Sequence, residues 1–302
     1  MISFVVPSYN QGEFIGSTID SVIAIMAPDD QLIIADGASR DSTAEVVGKY
    51  LSDSRIVWFS EPDRGFSDAM GKALLRATNP IVGIMSSDDV YVPGIRDRVL
   101  KEFRSPGIVL TYANYEIMDL HEKLIGKRLH RAASLSDLLS LRVLLPQSSV
   151  FFRRSILDGL GVLSIDHDYI ADVVLFNQIC LKGEISFVPE IWSRVRKHAG
   201  SRTGKRNPGV QYLNAVNTAL SSMPEDLKAR ARAGGLLLRA RYEASSGKRM
   251  AAVRTLIEAF RQDRMLFDHW LVPRTFAYIL LGPEGVGALD RVRRKLFYAG
   301  TT

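Results

Sequence analysis

The sequence predicts an α/β protein: a mixed, mainly parallel sheet flanked by helices, with a helical C-terminal extension. Three observations predict it. From Ile2 to Met85 short apolar runs alternate with amphipathic stretches, the pattern of βαβ units feeding a parallel sheet. Between Ile108 and Lys127 the pattern becomes β-rich and irregular, so the sheet is not purely parallel. Beyond Gly209 the chain carries apolar residues at helical spacing.

Ile2–Val6 reads as the first strand and Gly12–Met26 as the first helix. Gln31–Ala35 is the second strand, and Ser42–Leu51 the second helix, with Asp41 placed to cap it. Strand Arg55–Phe59, helix Ser67–Ala77 and strand Ile81–Met85 complete the alternation. Pro146–Phe152 reads as a strand, Tyr169–Leu181 as a helix, and Glu184–Val188 and Trp192–Arg196 as two further strands. Lys197–Gly209 is rich in Gly, Ser and basic residues and marks a boundary or a flap. Helices Val210–Ser221, Glu225–Ser246 and Lys248–Phe260 follow, which divides the chain into a sheet domain over 1–205 and a helical extension over 206–302.

Composition narrows the setting. The net charge is +6, yet acids outnumber bases up to about Ser193, after which Lys and Arg are in clear excess. The single cysteine, Cys180, excludes an internal disulfide framework and fits a reducing compartment. The opening MISFVVPSYN lacks the basic segment and long apolar run of a secretory signal, and no apolar run reaches membrane-spanning length. The expected location is the cytoplasm.

In an open α/β sheet, ligands bind at the carboxyl ends of the strands. Reading each strand to its end gives PSYN after Val6, DGASRD after Ala35 and SSDD after Met85. Asp36, Asp88 and Asp89 thus share one sheet edge. Carboxylates gathered there repel one another unless a cation sits among them, and hard oxygen ligands favour Mg2+ or Mn2+. The plainer alternative is that Asp88 caps a turn and Asp89 is solvated.

Four blocks, ISFVVPSYNQGEFIGSTIDSV, LIIADGASRDST, SEPDRGFSDAMGKALLRAT and GIMSSDDVYVP, resemble family 2 glycosyltransferases in order and spacing, over roughly the first two hundred residues. The resemblance implies the GT-A fold, which is Rossmann-like, and an inverting transfer of a sugar from a nucleotide-sugar donor, commonly a UDP-sugar, to an acceptor hydroxyl. It implies that Pro7, Ser8 and Tyr9 line the nucleotide, that Asp36 bonds the base, and that Arg64 and Asp68 belong to a segment closing over the nucleotide. It further implies that SSDD is the metal-binding region, with Asp89 as direct ligand, Asp88 on the ribose or supporting the metal, and His198 as a ligand to metal or diphosphate. Asp172, in the helix at Tyr169–Leu181, corresponds to the acid that accepts the hydroxyl proton, with Asp168 and Asp166 as fallbacks. The chain departs from the family pattern at Gly71, Ala73, Ser86, Val174 and Gln178.

The tail combines HWLVPRTFAYILLG with basic DRVRRKLFYAG. One reading is an interfacial anchor on the inner face of the cell membrane; the other is a subdomain packed on the catalytic core or on a second copy of the chain in a homo-oligomer. No nucleic-acid-binding module is recognisable. The expected partners are therefore a nucleotide-sugar donor and a glycan or lipid-linked acceptor in polysaccharide or glycolipid assembly. Competing classes are a nucleotidyltransferase, which would need a richer glycine loop than PSYNQGEF, and an inactive nucleotide-binding scaffold.

Overall fold

The computed structural model describes residues 1–160, 165–198, 207–264, 266 and 269–298, without the side chains of 165, 166 and 288–298. Two compact units result: Met1–Leu135 with Val143–Thr203, and Ser136–Arg142 with Gly204–Thr302.

In the first unit, the alternation read from the sequence gives β1 (Ile2–Ser8), α1 (Ile15–Ile23), β2 (Gln31–Asp36), α2 (Thr43–Gly48), β3 (Ile56–Ser60), α3 (Phe66–Arg76) and β4 (Ile81–Ile84). Then come β5 (Val90–Tyr91), α4 (Ile95–Glu102), β6 (Ile108–Met118), β7 (Leu124–Arg128), β8 (Val150–Arg153), α6 (Ala171–Cys180) and β9 (Glu184–Arg196), while α5 (Leu135–Leu139), between β7 and β8 in the chain, falls almost wholly in the second unit. Strands run β3-β2-β1-β4-β8-β6-β9-β5, and β7 extends β6 as a hairpin. The first four pair in parallel, β8 is antiparallel to β4 and β6, β6 and β9 are parallel, and β5 is antiparallel to β9. Because β2 lies on one side of β1 and β4 on the other, the chain reverses direction across the sheet at β1. The loops after β1 and β4 part there and leave a crevice at their carboxyl ends.

The core follows from composition. Every residue of β1 and β4 is buried, as expected of parallel strands covered on both faces. Phe4, Tyr91, Phe151 and Trp192 form an aromatic cluster, with Phe4 edge-on to Tyr91 at 5.6 Å and Phe151 edge-on to Trp192 at 5.7 Å. Ile15, Ile19 and Val22 supply the buried face of α1, at the helical spacing seen in the sequence.

Several elements differ from expectation. The two strands read at Glu184–Val188 and Trp192–Arg196 are one strand, β9: its register against β6 jumps from Val188 to Ile191, so Pro189, which has no N–H to donate, is looped out as a bulge. Asp41 stands one position before the capping residue of α2. It nonetheless accepts from Thr43 N at 3.0 Å and, through its other oxygen, from Gly12 N at 2.9 Å. Helix α4 has no counterpart in the sequence reading, because Ile95 and Val99 are its only buried residues.

The second unit contains α7 (Pro208–Asn217), α8 (Glu225–Ser245), α9 (Arg249–Gln262) and α10 (Leu271–Tyr298), with α8 packed on the other three. Asn207 caps α7 by accepting from Gly209 N at 3.1 Å, with Pro208 following at the first helical position. Small residues Ala233, Gly234, Ala240 and Ala244 line the buried side of α8, so backbones approach closely. Gly234 lies against the Ser140 carbonyl, which draws Ser136–Arg142 into this unit although the sequence places it with the sheet. Gly282, at φ 71, precedes Pro283 and kinks α10. No helix among the described residues is long and apolar enough to cross a membrane.

Candidate functional site

At the ends of β1 and β2 the two loops are stitched together by backbone and short polar side chains. Gly37 N donates to Ser8 O at 2.9 Å, Asn10 N to Ser39 Oγ at 2.7 Å, and Arg40 N to Asn10 Oδ1 at 2.9 Å. Asn10 and Ala38 adopt positive φ of 51 and 59, a strained conformation this stitching holds in place. Pro7 and Ser8 are buried, whereas Tyr9 is 56% exposed and offers its ring to a ligand.

Asp36 is buried at the end of β2 and its carboxylate is heavily used. One oxygen accepts from Ser39 N at 3.0 Å and Ser60 Oγ at 2.6 Å; the other accepts from Ser39 Oγ. Little acceptor capacity remains for a nucleobase. Asp63 is the more accessible carboxylate at this end. Its Oδ1 accepts from Gly65 N at 2.9 Å, while Oδ2 lies against Gly37 and beside the Tyr9 ring, and burial raises its pKa.

Arg64 and Asp68 bond one another. Arg64 reaches Asp68 Oδ1 at 3.0 Å, its backbone N donates to Oδ2 at 3.2 Å, and Lys72 stands 3.5 Å from the same oxygen. The hydrogen bond from Arg64 outweighs burial and holds the Asp68 carboxyl below its usual range. Asp68 thus stabilises the first turn of α3. Asp168, read as a fallback proton acceptor, accepts from Ser67 N at 2.8 Å and so caps α3 from a distant segment. Its carboxylate occupies the space a side chain at Gly65 would need.

The loop after β4 separates the two adjacent acids. Asp89 is 4% exposed, and both its oxygens are engaged, Oδ2 by Ser148 Oγ at 2.5 Å and Oδ1 by the backbone N of Arg196 at 2.9 Å. Burial, reinforced by the neighbouring Asp88 charge, raises its pKa. Asp88 instead points to the sheet edge, with Oδ2 2.9 Å from Nε2 of His198. Asp89, expected as the metal ligand, thus faces inward with both oxygens engaged, whereas Asp88 shares the edge with His198. Phe14 sets the imidazole from one side, with ring centroids 5.0 Å apart, and the Arg196 guanidinium lies 5.1 Å from the same phenyl ring.

For a divalent ion at this edge, the donor set is one carboxylate oxygen and one imidazole nitrogen, close enough to be adjacent ligands. That mixed oxygen and nitrogen pair suits Mn2+ better than Mg2+. No cluster of three or more His, Cys, Asp or Glu side chains suited to a metal forms among the described residues. The remaining positions would fall to diphosphate oxygens and water.

Asp172 lies in the first turn of α6, half-buried, on the segment that packs against α3. The side chain of Asp166 lies outside what is described, as do residues 199–206, which include most of the Gly200–Gly209 loop expected to order on donor binding.

Sequence reasoning missed Ser148 and Arg196. Arg196, 4% exposed, also donates Nε to Asp88 O at 2.9 Å and Nη2 to Glu122 at 2.8 Å and Ser17 Oγ at 3.1 Å. An arginine closing a strand, two residues after Arg194 and therefore on the same face, was the available signal. For Ser148 there was only its neighbour Gln147, whose Nε2 stands 3.3 Å from Ser86 Oγ.

The family model for glycosyl transferase family 2 matches residues 3–159, just over half of the chain. A UDP-Glc:alpha-D-GlcNAc-diphosphoundecaprenol beta-1,3-glucosyltransferase of Escherichia coli, WfgD, is 29% identical over 128 residues, covering 42% of this chain and 50% of that one. The chain spans about half the length of the curated relatives it matches first. Among solved structures, Staphylococcus aureus TarS in complex with UDP-GlcNAc superposes with a TM-score of 0.64 at 15% identity, over 95% of this chain and 91% of that one. A mannosyltransferase from Pyrobaculum calidifontis, in complex with GDP-Man and Mn2+, gives 0.53 at 16% identity, over 98% and 87%. At these identities the structural likeness establishes the GT-A fold.

Proposed function

The chain belongs to glycosyl transferase family 2, and on that premise we propose that it moves a sugar from a UDP-sugar to an acceptor hydroxyl in polysaccharide or glycolipid assembly, with inversion at the anomeric carbon. The observation that carries this reading is the Asp88–His198 pair at the sheet edge, on the loop after β4, the strand that neighbours β1 and its exposed Tyr9. The relative WfgD, named for a UDP-Glc donor and a diphosphoundecaprenol-linked acceptor, supports the donor class and a lipid-linked acceptor.

In this mechanism the nucleobase stacks on Tyr9, and a ring N–H donates to Asp63 Oδ2, while Asp36 keeps the β2 loop in shape. Asp88 and His198 would hold Mn2+ or Mg2+, which when bound supplies Lewis-acid stabilisation of the departing diphosphate. Asp89, clamped by Ser148 and Arg196, fixes the direction in which Asp88 points. Asp172 accepts the proton of the acceptor hydroxyl as its oxygen attacks the anomeric carbon from the side opposite the diphosphate. An acid on that side, distinct from the metal edge, is what an in-line displacement needs.

Thermal melts with UDP-, GDP- and dTDP-sugars, with and without Mn2+, test the reading. UDP-sugars should raise the melting temperature in the presence of Mn2+, and Asp88→Asn should abolish the metal-dependent part. If no nucleoside diphosphate sugar shifts the melt, the glycosyltransferase reading fails.

A further inference from the structure

Arg196 closes β9 with a side chain only 2% exposed, and its guanidinium joins three other segments. Nε donates to Asp88 O at 2.9 Å, Nη2 to Ser17 Oγ at 3.1 Å and to Glu122 Oε1 at 2.8 Å, and Nη1 to Leu120 O at 3.3 Å. The same guanidinium lies over the Phe14 ring that also sets the His198 imidazole. One buried cation thus bears on both halves of the Asp88–His198 pair, on the acid through its carbonyl and on the imidazole through Phe14. The next carbonyl, Asp89 O, is held separately by Thr18 Oγ1 at 2.8 Å.

The carboxylate bonded to this guanidinium comes from the turn between β6 and β7. There Asp119 N donates to Lys123 O at 3.0 Å and Glu122 N to Asp119 O at 3.2 Å, while Asp119 Oδ1 accepts from His121 N at 2.9 Å and Lys123 N at 3.0 Å. Backbone bonds and Asp119 therefore close the turn without the Glu122 side chain. Glu122 sits at φ 62, in the left-handed region where hairpin turns favour glycine. Its side chain is 55% exposed, so packing does little to offset the strain. What it reaches is Arg196, 74 positions further along. Exposed ion pairs contribute little, but here one end is buried, and removing the acid leaves a desolvated cation beside Asp88. Backbone strain at a residue whose turn does not need its side chain points to a task for that side chain.

We infer that Glu122 is a positioning residue for the sheet-edge pair: through Arg196 it holds the Asp88 carbonyl, and with it the direction of the Asp88 carboxylate towards His198. The inference rests on the reading of that pair as the divalent-ion site of the transferase. Glu122 supplies no ligand of its own. Without it, Arg196 turns towards water, the Asp88 carbonyl is released, and the carboxylate loses its aim.

The test is direct Mn2+ binding to the full chain with UDP present, followed by loss of the free-ion electron paramagnetic resonance signal, for the parent, Glu122→Ala, Glu122→Gly, Glu122→Gln and Asp88→Asn. Glu122→Ala and Glu122→Gly should each weaken Mn2+ binding by about tenfold, as expected when the support of a ligand is removed, and Glu122→Gln by less, because it keeps an acceptor oxygen. Glu122→Gly should also melt no lower than Glu122→Ala, since glycine relieves the strain at this position. A metal constant that falls while the turn is relaxed is what a merely structural residue would not give. Mn2+ binding unchanged in Glu122→Ala and Glu122→Gly, or weakened only in step with the melting temperature, overturns the inference. If Asp88→Asn weakens binding and the Glu122 variants do not, this inference alone fails. If the parent itself binds no Mn2+ with UDP, the reading of the pair as an ion site falls and takes the inference with it.

Discussion

The two units hold themselves together by different means. In the sheet unit, polar groups are buried in bonded sets: Asp36 with Ser39 and Ser60, Asp89 with Ser148 and the Arg196 backbone, and Asp30 with Ile2 N at 2.7 Å and Arg96. In the helical unit, close approach does the work, with Ala233, Ala240, Ala252 and Ala259 fully buried and Gly209 and Gly234 set against neighbouring backbone. Hydrogen bonds fix direction, which a site needs in order to aim Asp88. Small-residue packing fixes distance, which suffices for a scaffold.

The largest effect that would sharpen this contrast is Asp88→Asn. Sugar transfer should fall by about a hundredfold or more, as expected on losing electrostatic help to a leaving group, with melting unchanged. A parallel loss of stability would show that Asp88, like Asp89, is structural. Next, His269 of the helical unit is buried, with Nε2 3.1 Å from Ser140 O, and burial pushes its pKa down to about 4. Above pH 6.5 it is neutral folded or unfolded. As pH falls from 6.5 towards 4 only the unfolded chain takes up the proton, so stability drops by something on the order of 3 kcal/mol. Denaturant melts of His269→Gln at pH 7.5 and 4.5 should show that loss much reduced; an equal loss in both proteins would assign acid sensitivity elsewhere.

Gly234→Ala tests the close approach directly, because the added methyl meets the Ser140 carbonyl. Urea unfolding should register about 1–3 kcal/mol of destabilisation, the cost of overpacking, and a neutral result would mean that the helices separate easily. The smallest effect belongs to Arg64→Ala. Its ion pair with Asp68 is exposed at the arginine end, so the melting temperature should stay within experimental scatter. A clear drop would place the Arg64–Asp68–Lys72 network among the bonded sets that hold this unit.

Much of the sheet unit is legible because the evidence is local. Alternation of apolar runs reveals β1 to β4, and the loop residues at their ends point to the crevice without any knowledge of long-range contacts. The roles of Asp88 and Asp89 are not legible in this way. Which of two adjacent acids turns inward is decided by Ser148 and Arg196, which lie 59 and 107 positions from Asp89. Likewise β9 reads as two strands because Pro189 is a local breaker, while the long partner β6 that carries the chain past it is invisible to a short window. Helix α4 escapes for the opposite reason: IRDRVLKE is short and mostly charged, so its two buried residues give too weak a stripe.

Those long-distance bonds to Asp89 also set an order of assembly. Strands β1 to β4 and their helices lie wholly within the first 84 residues, but the strut under Asp88 requires the β8 region and the far end of β9 to arrive first. As the chain leaves the ribosome, the loop after β4 must wait for Arg196 before it can take its final form. Donor binding that depends on Asp88 should therefore switch on late in synthesis, well after most of the parallel sheet has formed.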